Sequence, residues 1–237
     1  MVDLVPILTL GFAWYVVFLF STTCHEAAHA WAALRLGDPT AYHGGQVSLD
    51  PLPHIRREPL GTVLVPILTF ALSQQWMMGW ASAPYDPLWA DRHPRRAAWM
   101  ALAGPAANFS LMALAVGLVH GGLALGLLQP PETITFSRVV TATSGGGASG
   151  LATVLSILFT LNLVLFVFNL LPLPPLDGSG AVGLILPEET TRRYQALMRQ
   201  PLLSLLGLLA AWRLFGPLFA PIHTLALRLL YPDLVYR

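Results

Sequence analysis

The run LVPILTLGFAWYVVFLFSTTCHEAAHAWAALRL, from Leu4 to Leu36, decides how this chain folds. A helix needs about 20 apolar residues to cross a bilayer, and Leu4 to Thr23 carry no charge at all. The far end of the same run then presents Cys24-His25-Glu26-Ala27-Ala28-His29. Ionisable side chains inside a span are costly and are functional by default. Residues four apart share a helix face, so both imidazoles can reach one Zn²⁺ while Glu26 sits on the flank as a candidate general base. Cys24 points about 100° away from His25 and reads as a small packed residue, not a ligand. The pattern is a hydrolase geometry placed in lipid.

Composition agrees with a membrane protein. Hydrophobic residues make up 55% of the chain and charged residues only 11%, with a mean hydropathy of +0.62, more apolar than a soluble core requires. A net charge of +1 gives no sign of a nucleic-acid partner. All thirteen basic residues are arginine, a compositional bias. Cys24 is the only cysteine, which rules out an internal disulfide. No cleavable signal peptide is expected, because the N-terminus lacks a basic region and cleavage after the first apolar run would remove His25.

Five apolar runs are long enough to consider as spans: Leu4 to Leu36, Leu60 to Trp80, Ala97 to Leu128, Leu151 to Leu171 and Leu202 to Leu230. The polar stretches between them are too short for a soluble module. One membrane-embedded domain over 1–237 is expected, with a core at 1–186 and a C-terminal helical segment at 187–237. The fold class is all-α and polytopic: a bundle of about four to six transmembrane helices with one re-entrant segment. Alternation in Gln46-Val47-Ser48-Leu49 suggests a small surface β-hairpin as well.

A second constellation, Asn169-Leu170-Leu171-Pro172-Leu173-Pro174-Pro175-Leu176-Asp177-Gly178, ends an apolar helix with prolines and then offers a carboxylate. Proline removes backbone donors, and non-helical backbone at membrane depth survives only where protein or a wet cavity satisfies it. This stretch is therefore expected to line an internal site with Asp177 aimed into it as a third zinc ligand. Two histidines and one carboxylate leave the fourth tetrahedral position open, the arrangement of a catalytic zinc site.

His25 to His29, Gly104-Pro105-Ala106-Ala107-Asn108 and Asn169 to Gly178 together resemble, in order, the three signatures of the site-2 protease family of intramembrane zinc metalloproteases. Gly37-Asp38-Pro39-Thr40 and Gly79-Trp80-Ala81 are similar to its short prokaryotic members, so the likeness covers about residues 20 to 185. The resemblance implies one Zn²⁺ held by His25, His29 and Asp177, with Glu26 as general base. It also implies that Asn169 steadies substrate or oxyanion, and it carries over Asn108. No PDZ or nucleotide-sensing domain of the kind many relatives append is present in this sequence.

Connectivity tests the pairing of the two constellations. At about 1.5 Å per residue, His29 lies about 10 Å inside the helix end near Leu36, and Asp177 follows the C-terminal end of its own helix. The two helices must run in the same direction, so one of the two intervening segments is not a simple span. Leu60 to Trp80 is expected to dip in and return, since Pro66 interrupts it and Gln74-Gln75 make its second half polar. One face then collects Arg35, Arg56, Arg57, Arg92, Arg95, Arg96, Arg192, Arg193 and Arg199, against Arg138 in the opposite loop. The positive-inside rule turns the site toward the cytoplasm. The expected location is a bacterial or archaeal cell membrane, spanned several times.

Plainer readings compete at several positions. Gly104 and Pro105 serve either as a kinked, small-residue packing face or as substrate contacts. Asn108 and Asn169 serve either the site or helix packing. His43, His54 and His93 read as surface or interfacial residues, and His120 and His223 as markers of helix ends. Arg213 either splits the last apolar run or snorkels to the surface.

The resulting expectation is hydrolysis of peptide bonds in or near transmembrane segments of membrane-protein substrates. Two alternatives stand beside it. One is a non-catalytic metal-binding membrane protein, either transporter or chaperone-like, which would have no need of Glu26. The other rests on Gly147-Ala148-Ser149-Gly150, which looks like the GxSG of rhomboid serine proteases but has no partner histidine in sight.

Overall fold

The structure, a computed structural model, describes residues 4–232; the outermost positions of the expected domain, 1–3 and 233–237, lie outside the described residues. Helix α1 (Leu4–Leu36) runs unbroken. Then come α2 (Thr40–His43), α3 (Pro51–Arg57), a π-helical turn (Leu60–Leu64) leading into α4 (Val65–Ser73), and α5 (Pro87–Arg92). Helix α6 (Pro94–Ala124) is followed by β1 (Leu128–Gln129), β2 (Thr141–Ala142) and α7 (Gly147–Asn169). The chain closes with α8 (Asp177–Ala181), a 3-10 turn (Val182–Leu184), α9 (Glu188–Met198) and α10 (Pro201–Leu230).

Four of these helices, α1, α6, α7 and α10, are long and apolar enough to cross a membrane. On α1 the stripe Trp14, Phe18, Ser21, His25, Glu26, His29 and Ala33 is buried, while Leu8, Phe12, Val16, Phe20 and Trp31 face outward. Every polar group among these residues lies in the buried stripe, beside apolar ones, and the outward face is wholly apolar, as lipid solvent requires. Helix α7 is the innermost element. Its residues from Leu155 to Leu163 are buried without a break, which only a helix enclosed on every side allows.

Leu60 to Trp80 is a hairpin, not a span. Its helical limb runs from Leu60 to Ser73, and Gln74, at φ +54°, reverses the chain. Pro66 does not interrupt the limb as its place in the sequence suggested. In the π register the Val65 N–H bonds to the Leu60 carbonyl, so the next donor would belong to residue 66, and proline has none. The Gly61 carbonyl is thereby free, and it accepts the returning Trp80 N–H at 3.0 Å. The limbs cross at Gly61 and Gly79, where a Cβ on Gly79 would strike the Gly61 carbonyl, Phe18 and Pro66.

Cross-chain contacts fix the two faces. On one, Arg199 pairs with Asp91 at 2.9 Å, joining the end of α9 to α5. On the other, His120 bonds to the Leu230 carbonyl at 3.1 Å and the Tyr231 hydroxyl donates to the Val139 carbonyl at 2.9 Å. Helices α1 and α7 therefore run the same way, as the parity argument required. The arginine face carries nine arginines between Arg35 and Arg199, against Arg138 and, in the last turn of α10, Arg228.

Other expectations change. Gln46 to Leu49 form no strand; the two-stranded sheet lies on the opposite face, with Leu128 facing Ala142 and Gln129 facing Thr141. Gln46 is instead buried and donates to the Ser82 carbonyl at 3.1 Å, so its alternation reflects packing of the loop and not a sheet. The loop folds into α3, and a similar start opens α5: Asp50-Pro51-Leu52 and Asp86-Pro87-Leu88 each place an aspartate N-cap before a first-turn proline. His54 is buried and bonds to the Ser48 carbonyl, so it is not a surface residue. His120 lies four residues inside α6, and His223 lies inside α10 stacked on Phe219, so neither ends its helix. Arg213 is exposed on a continuous α10 and does not split it.

Candidate metal centre and active site

Helical repeat alone brings the two histidines together. One turn apart on α1, their Nε2 atoms lie 3.0 Å from each other. Each ring is held from behind through Nδ1: His25 on the Asn108 side-chain oxygen at 2.6 Å and His29 on the Met100 carbonyl at 2.7 Å, both on α6. With Nδ1 engaged, both Nε2 atoms turn toward the same space.

The loop after α7 delivers Asp177 to that space. Its turns close through Leu173 N–H to the Leu171 carbonyl and Leu176 N–H to the Leu173 carbonyl, with Pro174-Pro175 in cis. Leu171 and Leu176 are buried against Ala211 of α10, which anchors the loop on both sides of the prolines. Gly178 lets the chain turn back against the end of α7, where a Cβ would strike the Leu170 and Leu171 carbonyls. The outcome is that Asp177 Oδ2 lies 3.1 Å from His25 Nε2 and 3.3 Å from His29 Nε2.

This arrangement fits zinc. Bonds of about 2.0–2.1 Å at tetrahedral angles separate the donor atoms by about 3.3 Å, and the three separations observed are 3.0, 3.1 and 3.3 Å. Asp177 Oδ2 is buried and has no hydrogen-bond donor of its own. Gly104 supplies the floor: a Cβ there would run into the Nε2 atoms of both histidines. Gly104 thus leaves room at the donor atoms themselves, a more specific task than the small packing face weighed from the sequence.

Glu26 is buried beside the two histidines, and among the described residues its carboxylate makes no hydrogen bond or ion pair. Asn108 is fully buried and bonds to both His25 and Asn162, so it belongs to the site and to helix packing together. Pro105 is buried within α6 next to Gly104. Asn169, the last residue of α7, is half-buried, and among the described residues no side-chain hydrogen bond ties it to the triad. Cys24 stands outside the cluster. Ser149 is exposed in the first turn of α7, bonds to the Ser144 carbonyl at 3.4 Å, and meets no histidine among the described residues.

Sequence reasoning missed Asn162 and Ser21. Both are fully buried; Asn162 donates to Ser21 Oγ at 2.9 Å and to the Leu158 carbonyl at 2.8 Å. A lone asparagine within Leu161-Asn162-Leu163 at the heart of an apolar span was the available signal. The Met100 carbonyl left no such trace, since every residue has one.

The profile of "Peptidase family M50" matches residues 13–210, reaching beyond the signatures into α10. A Bacillus subtilis protein named "Putative zinc metalloprotease YwhC" is 34% identical over 173 residues, covering 73% of this chain and 68% of the relative. A protein named "Putative zinc metalloprotease Rip2" is 30% identical in Mycolicibacterium smegmatis over 178 residues, 74% of this chain and 58% of the relative. Its Mycobacterium tuberculosis namesake is 31% identical over 208 residues, 88% of this chain and 70% of the relative. No solved structure matches the chain.

Proposed function

The chain belongs to peptidase family M50 and is a membrane-integral zinc metallopeptidase; from that premise we propose that it cuts peptide bonds in or near transmembrane segments of membrane-protein substrates. The observation that carries this reading is the convergence of His25 Nε2, His29 Nε2 and Asp177 Oδ2 between helices long enough to span a bilayer, with an unpartnered Glu26 beside them.

His25, His29 and Asp177 would hold the metal. Bound zinc supplies Lewis acidity, which makes water acidic enough to lose a proton near neutral pH. Glu26 receives that proton on a carboxylate oxygen and returns it to the leaving amine. Asn108 and the Met100 carbonyl orient the two imidazoles. Asn169, at the rim where α7 gives way to the Asp177 loop, steadies the substrate carbonyl. The arginine-rich face lies toward the cytoplasm by the positive-inside rule, so water reaches the site from that side. A transmembrane substrate must unwind locally, because a helix keeps its carbonyls hydrogen-bonded.

The test is cleavage of a tagged panel of single-span proteins in proteoliposomes, with zinc content measured alongside. Wild type should cut, and Glu26→Gln should keep its zinc and not cut. A Glu26→Gln protein that cuts at the wild-type rate would refute the mechanism. Zinc-loaded wild type that cuts no member of the panel leaves either a substrate outside the panel or a non-catalytic binder.

A further inference from the structure

The two histidines are backed by partners of different kinds. A backbone carbonyl can only accept, so Met100 obliges His29 to carry a proton on Nδ1, which in the neutral ring leaves Nε2 bare. The partner of His25 is the Asn108 amide, which offers an acceptor turned one way and a donor turned the other. Turned the wrong way, it would place the His25 proton on Nε2, the atom that faces Asp177 and His29.

Something must set the direction of Asn108. Its other end meets Asn162 at 2.8 Å, another amide with the same ambiguity. The ambiguity ends one step further. Asn162 lies against the Leu158 carbonyl at 2.8 Å, an acceptor that cannot reverse, so Asn162 must point its NH₂ there; its second N–H goes to Ser21 Oγ. The Asn162 oxygen then faces Asn108, which must donate to it and turn its own oxygen to His25. All three relay side chains, Ser21, Asn108 and Asn162, are wholly buried, so water has no place in the chain of bonds.

We propose that Asn162 is a positioning residue for the metal centre: it transmits the polarity of the Leu158 carbonyl through Asn108 and so keeps a proton on His25 Nδ1, leaving Nε2 as the atom offered to the metal. The proposal rests on His25 being a zinc ligand. Removing such outer partners typically weakens metal binding by about 10- to 100-fold.

The test uses the full chain in detergent. Zinc affinity is measured by chelator competition, and His25 in zinc-free protein is read by ¹⁵N NMR. Wild type should show His25 protonated on Nδ1. Asn162→Leu, which frees Asn108 to turn, should bind zinc about 10- to 100-fold more weakly and gain signal from a His25 ring with a bare Nδ1. Adding Asn108→Asp to Asn162→Leu should restore affinity, because a carboxylate accepts whichever way it turns. A merely structural role for Asn162 predicts lost thermal stability with affinity and tautomer unchanged, and that result overturns the proposal. So does a His25 Nδ1 without a proton in zinc-free wild type, a measurement that stands even if the variants fail to fold. Wild type that binds no zinc at these residues overturns the metal-site reading itself, and this proposal with it.

Discussion

Helix α1 and the loop from Leu170 to Leu176 each deliver ligands to the same point, by opposite means. Helix α1 does so by repetition: His25 and His29 coincide because 3.6 residues make a turn. The loop does so by exception, with three prolines and two tight backbone turns, followed at Gly178 by a glycine where no side chain fits. What the difference teaches is where each half is vulnerable. A helical ligand pair depends on its side chains, whereas a loop ligand depends on every element that holds the loop.

Substitutions can break or sharpen that contrast. The largest effect is expected on the donor set itself: Asp177→Ala should abolish both zinc content and cleavage, and Gly104→Ala should do the same without touching a ligand, because the added Cβ meets both Nε2 atoms. Zinc content of the purified proteins checks both, and a zinc-replete Gly104→Ala would show that Gly104 is not needed to leave room at the two Nε2 atoms. Next comes Glu26→Gln, expected to slow cleavage by about 10²- to 10⁴-fold with zinc retained, read as initial rates on one substrate. Gly178→Ala tests the loop alone. Its Cβ meets two backbone carbonyls that cannot give way as a side chain would, so a loss of about 1–3 kcal/mol is expected, together with weakened zinc binding, measured by thermal unfolding and chelator competition. The smallest effect is expected far from both ligand carriers: Gln74→Gly, which relieves a left-handed residue at the hairpin tip, should alter stability by about 1 kcal/mol and leave zinc affinity unchanged.

The same contrast explains how much could be read from the chain. The candidate ligands His25, His29 and Asp177 were legible because charge and proline are conspicuous in apolar sequence. The re-entrant hairpin was legible from parity, since α1 and α7 had to run the same way. Its internal logic was not: Pro66 looked like a break, and only the π register and the returning Trp80 N–H reconcile it with a continuous helix. The expected strand at Gln46 to Leu49 failed because short alternation does not say what it packs against, and Gln46 packs inward on Ser82. His54 was misplaced for a related reason, its polar neighbourhood being folded inward and not solvated.

The sequence by itself determined that this is a polytopic membrane protein, which residues could bind a metal, and which helices must be parallel. Hydropathy and helical period act over neighbouring residues and need no knowledge of the rest. Only the tertiary structure decided that Gly104 leaves room at the histidines, that Asn108 and the Met100 carbonyl stand behind them, and that Asn162 and Leu158 stand behind Asn108. The contacts of Asn108 and of the Met100 carbonyl join α1, α6 and α7 across 54 or more positions of chain, and the orientation of an amide or an imidazole is settled by whichever acceptor the fold brings to it.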